Sequence, residues 1–327
     1  MNGPMRVLVL GGTGYIGTRL CERLAATSWA TPDCASSRHV VGNGVRVDTT
    51  DLASLVYALH GVDAVVNCVA GNRRAIAEGA KALVLACIET GCPRIVHLSS
   101  MSVYGPREGA VRDDAATDPS LGWYARAKCE AEHCMTAFAR AGGTAIVLRP
   151  GCVWGPGSQL WVGRIARYLN AHRLGDLGAA GDGWSNLVHV DNVCDAIEAA
   201  LQLPESPGRV RAYNLAAPDS PRWNEYFVDL ALAIGATPVR RISQLQLRLD
   251  AWLGGPPLKV AQTAFAKLGR RPARVPDPLP PNLVGLWERH LRLESPGAER
   301  DLGVRWTPYG TGLTQSAQWV REGAIHA

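Results

Sequence analysis

The sequence predicts an α/β fold, a doubly wound parallel sheet accompanied by a smaller, mostly C-terminal lobe. Three observations carry that prediction. Short β-branched runs alternate with helical periodicity over residues 1–150, the pattern of repeated βαβ units. A glycine-rich turn follows the first of those runs directly. Beyond Pro150, glycine, proline and tryptophan become denser and the periodic segments shorten.

Taken in order, the run at 6–10 stops at Gly11 and helical spacing resumes over 15–26, giving strand, tight turn and helix. Buried strands are expected at 45–47 and 63–69, with a helix at 52–59 between them. An amphipathic helix at 74–90 ends on Gly91 and Pro93, ahead of a strand at 95–98. A long helix follows Trp123 as far as Arg140, and Gly142 and Gly143 separate it from a strand at 145–148. Later elements are expected at 160–169, 188–203, 211–215, 223–233, 260–268 and 313–321. Repeated proline makes 272–281 a loop or strap, because it removes amide donors. The organisation expected is a dinucleotide-binding domain over 1–150, to which 186–217 return, and a substrate lobe made mainly of 151–327.

A length of 327 residues allows roughly two domains. With 47% hydrophobic and 19% charged residues, a disordered chain is excluded. The net charge of +5 is small and dispersed, which argues against nucleic acid and suits an anionic small molecule. Nine cysteines, an odd number without a CxxC pair, predict reduced, mostly buried thiols in a cytoplasmic protein, and no metal site. No secretory leader and no spanning apolar run are found, so no membrane association is expected.

Gly11, Gly14 and Gly17 form GxxGxxG between the first strand and its helix. Gly11 permits the tight turn, Gly14 lets the backbone approach a pyrophosphate, and Gly17 allows the helix to pack closely. Helix-end amides would then face the phosphates, with Tyr15 and Ile16 beside them. This is a Rossmann-type dinucleotide site. The second strand, taken through Ala35, exits at Ser36, Ser37 and Arg38 with no acid to grip the adenosine ribose, which predicts NADP in preference to NAD.

Ser99 and Ser100 follow the strand at 95–98, at the end where an open parallel sheet places its ligands. Tyr124 and Lys128, four apart on a helix, share one face. A phenol can give or take a proton as a hydride moves, and a nearby ammonium favours the phenolate. Alone, such a pair is structural; the glycine turn and the strand-end serines give it a chemical reading.

With these motifs in place, the sequence resembles the extended short-chain dehydrogenase/reductase family, which includes nucleotide-sugar epimerases, dehydratases and 4-ketoreductases. The resemblance covers nearly the whole chain. It runs from the three glycines through Asp48, NCVAG (67–71), SSMSVYG (99–105), YARAK (124–128), RPGCVWGP (149–156) and LVHVDN (187–192) to YNLA (213–216). It implies that Tyr124 is the catalytic acid/base, that Lys128 binds the nicotinamide ribose and lowers the tyrosine pKa, and that Ser100 meets the reacting oxygen. It implies Asp48 and Thr49 near the adenine, and Val69, Ala70 and Gly71 along the nicotinamide. Arg149, Pro150 and Val153 would belong to the segment that wraps cofactor and substrate. Met101 and Ser102 would join Ser100 and Tyr124 at the substrate's reacting end, and Gln159, Leu160 and Trp161 would approach its nucleotide. A homodimer through the helices at 74–90 and 124–140 is also implied.

Dehydratases of that family place an acidic pair directly after the hydroxyl residue, whereas Met101 and Ser102 stand here, which argues against dehydration. Arg164, Arg167 and Arg173 suit either a pyrophosphate or a solvated helix face, and Trp154, Trp161 and Trp184 either the cleft or the core. His189 reads as a structural bond and Asp191 as a helix start. Together these readings predict an NADP-preferring reductase of a ketone on a nucleotide-linked sugar or related metabolite. An epimerase with tightly bound NAD and a non-catalytic redox sensor stay open, although a sensor has no need of the proton-transfer set.

Overall fold

The structure, a computed structural model, describes residues 3–37, 44–254 and 277–323. Its strands are β1 (Met5–Leu10), β2 (Ala30–Ser36), β3 (Val45–Arg46), β4 (Ala64–Asn67), β5 (Arg94–Leu98), β6 (Gly109–Val111), β7 (Thr144–Pro150), β8 (Cys152–Trp154), β9 (Leu187–His189), β10 (Arg211–Leu215) and β11 (Leu291–Leu293). Seven of them form one sheet in the order β10-β7-β5-β4-β1-β2-β3, parallel throughout. The sheet is buried on both faces, which is why the apolar runs of β1 and β4 are nearly continuous. Val7 of β1 stands between Pro32 of β2 and Ala64 of β4. From β1 the chain winds outward in one direction through β2 and β3 and in the other through β4, β5, β7 and β10. The crevice past the ends of β1 and β4 is the switch point at which such sheets take ligands.

The helices that follow these strands are α1 (Tyr15–Ala25), α2 (Leu52–Leu59), α3 (Gly79–Thr90), α4 (Trp123–Arg140), α5 (Arg164–Asn170), α6 (Val190–Gln202) and α7 (Trp223–Ile234). Leu20, Leu24, Val193 and Ile197 carry α1 and α6 onto one face of the sheet. Leu55, Leu83, Ala127 and Met135 carry α2, α3 and α4 onto the other. Arg19 donates twice to Asp191, and Arg23 donates to Asp195 at 2.5 Å and to Glu198 at 2.6 Å, so α1 is tied to α6 along its outer edge. The helix expected from Arg74 opens as a π-type turn, Arg74–Glu78, before α3. The lobe packs Trp223, Tyr226 and Phe227 of α7 against Trp287 of the helix Pro281–Trp287. Two short parallel pairs, β6 with β11 and β8 with β9, form small sheets separate from the main one.

Two expectations need correction or restriction. Cys21 of α1 and Cys34 of β2 are joined in a disulfide, with Cα atoms 6.3 Å apart, where only reduced thiols were expected; the packing of α1 on β2 brings them together. The helix expected at 260–268, most of the strap at 272–281, and Arg38 lie outside the described residues. Among the described residues no helix is long and apolar enough to cross a membrane, and no group of three His, Cys, Asp or Glu could hold a metal ion.

Candidate active site

The switch-point crevice opens into a cleft of about 900 Å³. The glycine turn forms its floor. Gly11 has φ +79°, a conformation other residues adopt at a cost, and a Cβ there would stand 3.1 Å from the Cys68 carbonyl oxygen. A Cβ on Gly17 would stand 2.2 Å from the Gly11 carbonyl oxygen, so α1 packs on the turn only because position 17 is glycine. At the N-terminus of α1 the capping residue is Gly14, with no side-chain cap and no acid in the first turn. The amides and the positive end of that helix therefore face the cleft unscreened, which fits an anionic pyrophosphate.

Of the cofactor residues named from sequence, Gly11, Gly14, Tyr15, Ile16, Gly17, Ser36, Ser37, Thr49, Val69, Ala70, Gly71, Pro150 and Val153 all line this cleft. Asp48 does not; it is exposed and closes a local turn, its Oδ1 accepting from the Thr50 amide and hydroxyl at 2.9 Å each. Those two bonds hold its carboxyl below the usual range. Ser36 accepts a hydrogen bond from the Thr13 hydroxyl at 3.0 Å. Sequence reasoning missed Val47, Cys68, Asn72, Gly157 and Ser158, which also line the cleft and belong to loops whose facing no periodicity reveals.

The reacting groups gather across from the turn. Ser100 leaves β5 in extended conformation and its hydroxyl caps the turn Met101–Tyr104 by accepting from the Ser102 amide at 3.2 Å. Tyr124, in the first turn of α4, lines the cleft with Ser100; burial pushes its phenol up and the Ser100 hydroxyl works against the rise. Lys128, one turn on, is buried, and its Nζ donates to the Leu98 carbonyl at 2.7 Å and the Val69 carbonyl at 3.5 Å. Burial lowers its ammonium to about 8, opposed by Cys68 and Glu132. Protonated groups of this kind can pass a proton to or from an oxygen held between Ser100 and Tyr124.

On the substrate side, Met101, Gln159, Leu160 and Trp161 line the cleft, whereas Ser102 is not among its lining residues and its hydroxyl is buried. Ser158 positions the turn Gln159–Gly163 by accepting from the Trp161 amide at 3.4 Å, and the Trp161 ring packs 5.5 Å from that of Trp223. Trp154 is buried against Tyr309, and Trp184 lies between the guanidinium groups of Arg222 and Arg292. Neither lines this cleft. Arg167 of α5 is engaged by Asp277 and Arg173, just beyond that helix, by Asp250, so neither stands over the cleft as a bare cation. His189 caps α6 through Nδ1, and Asp191 stands in that helix's first turn.

Comparison with known proteins places this geometry. The pattern of the NAD dependent epimerase/dehydratase family matches residues 7–216. The 2-alkyl-3-oxoalkanoate reductase of Stenotrophomonas maltophilia (strain K279a) is 30% identical over 259 residues, 72% of this chain and 77% of the reductase. Two solved structures share the fold. MoeE5 in complex with UDP-glucuronic acid and NAD is 22% identical with a TM-score of 0.69, over 97% of this chain and 99% of that one. The UDP-glucuronic acid 4-epimerase from Bacillus cereus, in complex with UDP-glucuronic acid and NAD, is 17% identical with a TM-score of 0.73, over 97% and 99%.

These findings overturn the expected preference for NADP. The family is NAD-dependent, and both solved relatives hold NAD. The described residues lining the β2 exit are Ala35, Ser36, Ser37, Val47 and Thr49. The expectation had rested on Ser36, Ser37 and Arg38 as a seat for a 2′-phosphate, and Arg38 lies outside the described residues. With a family pattern that spans the sheet, the glycine turn and the Ser100, Tyr124 and Lys128 cluster, the chain is an NAD-binding enzyme and belongs to the NAD-dependent epimerase/dehydratase family.

Proposed function

We propose that the protein is an NAD-dependent epimerase of a nucleotide-linked sugar, in which a hydride leaves a secondary carbinol carbon and returns to it within one turnover. The observation that carries this reading is the half-buried Tyr124 phenol, which lines the dinucleotide cleft together with Ser100 and with Lys128 one helical turn away. NAD, when bound, supplies the hydride acceptor. The chain's own residues manage the proton. Ser100 orients the substrate hydroxyl, Tyr124 takes its proton as the carbon is oxidised and gives it back on the return, and Lys128 favours the intervening phenolate. Met101 and Ser102, where a dehydratase carries acids, count against loss of water. The shared fold of the Bacillus cereus 4-epimerase supports the same assignment.

One observation favours a second reading, net reduction of an oxo acid. Met101, Leu160 and Trp161 give the substrate side an apolar wall, and the S. maltophilia relative is a 2-alkyl-3-oxoalkanoate reductase. The two readings separate in parallel incubations. The first gives the protein NAD with UDP-glucose, UDP-N-acetylglucosamine or UDP-glucuronic acid; the second gives it NADH with a 2-alkyl-3-oxo acid. Epimer formation without net change at the reduced-nicotinamide band supports the epimerase, and equimolar oxidation of NADH supports the reductase. Tyr124→Phe is expected to lower either activity by about two to four orders of magnitude while NAD binding persists. Full activity in that variant would overturn both readings.

The same proposal includes a homodimer through α3 and α4. Leu85 and Ile88 of α3 are 48% and 50% exposed, an apolar pair on the helix surface that a second copy would cover. A monomeric mass in sedimentation at micromolar concentration would remove the dimer from the proposal.

A further inference from the structure

Tyr124, Lys128 and Glu132 succeed one another at intervals of four along α4 and therefore lie on one side of it. The first two belong to the reacting cluster. The third is buried and fully bonded. Its Oε1 accepts from the Ser99 hydroxyl at 2.5 Å and from Arg149 Nε at 3.0 Å, and its Oε2 accepts from Arg149 Nη2 at 2.7 Å. Arg149 is itself fixed, donating through Nη1 to the Tyr104 hydroxyl at 2.8 Å and to the Asp113 carbonyl at 2.9 Å. Tyr104 passes the chain on to Asn214 Oδ1 at 2.6 Å. Ser99 immediately precedes Ser100, so the carboxylate grips the backbone that presents the Ser100 hydroxyl to Tyr124.

A buried ion pair is a weak source of stability, since apolar residues of similar volume usually do as well. Position suggests what this one does. Lys128 is faced by Cys68 from the segment after β4, by His97 from β5, and by Tyr124 and Glu132 from its own helix. Burial pushes Cys68 up to about 12 and the Tyr124 phenol upward, and it holds the His97 imidazole well below its usual range, so these three are neutral near pH 7. The carboxylate facing Lys128 is that of Glu132, held in place by Arg149 Nη2 at 2.7 Å.

We propose that Glu132 is a positioning residue of the active site: clamped by Arg149, its carboxylate anchors Ser99, and through it Ser100, and serves as the counter-charge that keeps Lys128 an ammonium. This rests on the hydride-transfer reading of Ser100, Tyr124 and Lys128. Its test needs no substrate. The chain has four lysines, Lys81, Lys128, Lys259 and Lys267. Protein labelled with ¹³C at lysine Cε therefore gives four NMR signals, and Lys128→Met assigns the one of interest. In Glu132→Gln the Lys128 signal is expected to titrate about one pH unit lower than in the wild type. Turnover should fall with it while the NAD dissociation constant is kept. Because that variant leaves a buried guanidinium unpaired, Glu132→Gln/Arg149→Met is measured beside it, and a smaller downward shift is expected there, since a positive charge near Lys128 is removed with the negative one. An unmoved Lys128 titration in a folded variant overturns the proposal, as does failure of both variants to fold, which would make the pair purely structural. Neither outcome touches the epimerase reading, which Tyr124→Phe decides separately.

Discussion

Lys128 shows at the scale of one residue how this site sets function against stability. Its ammonium is enclosed, and burial takes it from an ordinary 10.5 to about 8. The unfolded chain therefore binds that proton more tightly, so the penalty is fully present below about pH 8 and wild-type stability rises with pH between about 8 and 10.5. A difference of this size corresponds to at most about 3 kcal/mol. Lys128→Met is expected to be more stable than the wild type at pH 7, to lose that advantage as pH rises through the same window, and to be inactive. Denaturant midpoints at several pH values check this, and a variant less stable than the wild type at pH 7 would contradict it. Ser100, Tyr124 and Lys128 could be picked out of the sequence because strand-end position and helical spacing place them. Glu132 could not, since a glutamate four residues from a lysine ordinarily reads as a solvated pair. Asp48, named through the family resemblance, and Ser102 do not line the cleft, since a shared motif does not say which way each side chain faces.

At the scale of elements, β1, the glycine turn and α1 act as one unit. The Gly11 carbonyl oxygen would lie 2.2 Å from a Cβ at position 17 and 3.2 Å from one at position 14. Gly17→Ala should force α1 off the turn, costing about 1–3 kcal/mol of stability and most of the NAD affinity. Calorimetric titration with NAD, alongside a melting curve, measures both, and wild-type values for each would refute the packing argument. This unit was readable because glycine is required at fixed intervals there. The β2 strand was harder, since Pro32 argues against an interior strand. The structure resolves that conflict: β3 pairs with β2 only at Ala35 and Ser36, so at Pro32 the strand is an edge and needs no donor on its open side. The π-type turns at Arg74–Glu78 and Gln159–Gly163 left no mark in the sequence, because they keep the apolar spacing of the helices they precede.

Over the whole molecule, the sheet order follows from local alternation of strand and helix, whereas the lobe is assembled from segments far apart in sequence. Gly109–Val111 pairs with Leu291–Leu293, and Asn186 secures the second of these by donating to the Leu291 carbonyl and accepting from the Leu293 amide, both at 2.8 Å. Three-residue strands with partners so distant carry no sequence pattern, and the same lobe supplies Gln159, Leu160 and Trp161 to the cleft. That is why the pairing of the lobe's strands left no trace in the sequence, although the family resemblance named Gln159, Leu160 and Trp161 at the cleft. The central claim is that the hydride taken from the substrate goes back to it. Its most direct test uses a nucleotide sugar from the incubations above, deuterated at the carbon that is epimerised. The account predicts that deuterium stays on that carbon in the epimer, with none in water and no accumulation of reduced cofactor. Loss of the label to solvent, or equimolar deuterated NADH in solution, would contradict it.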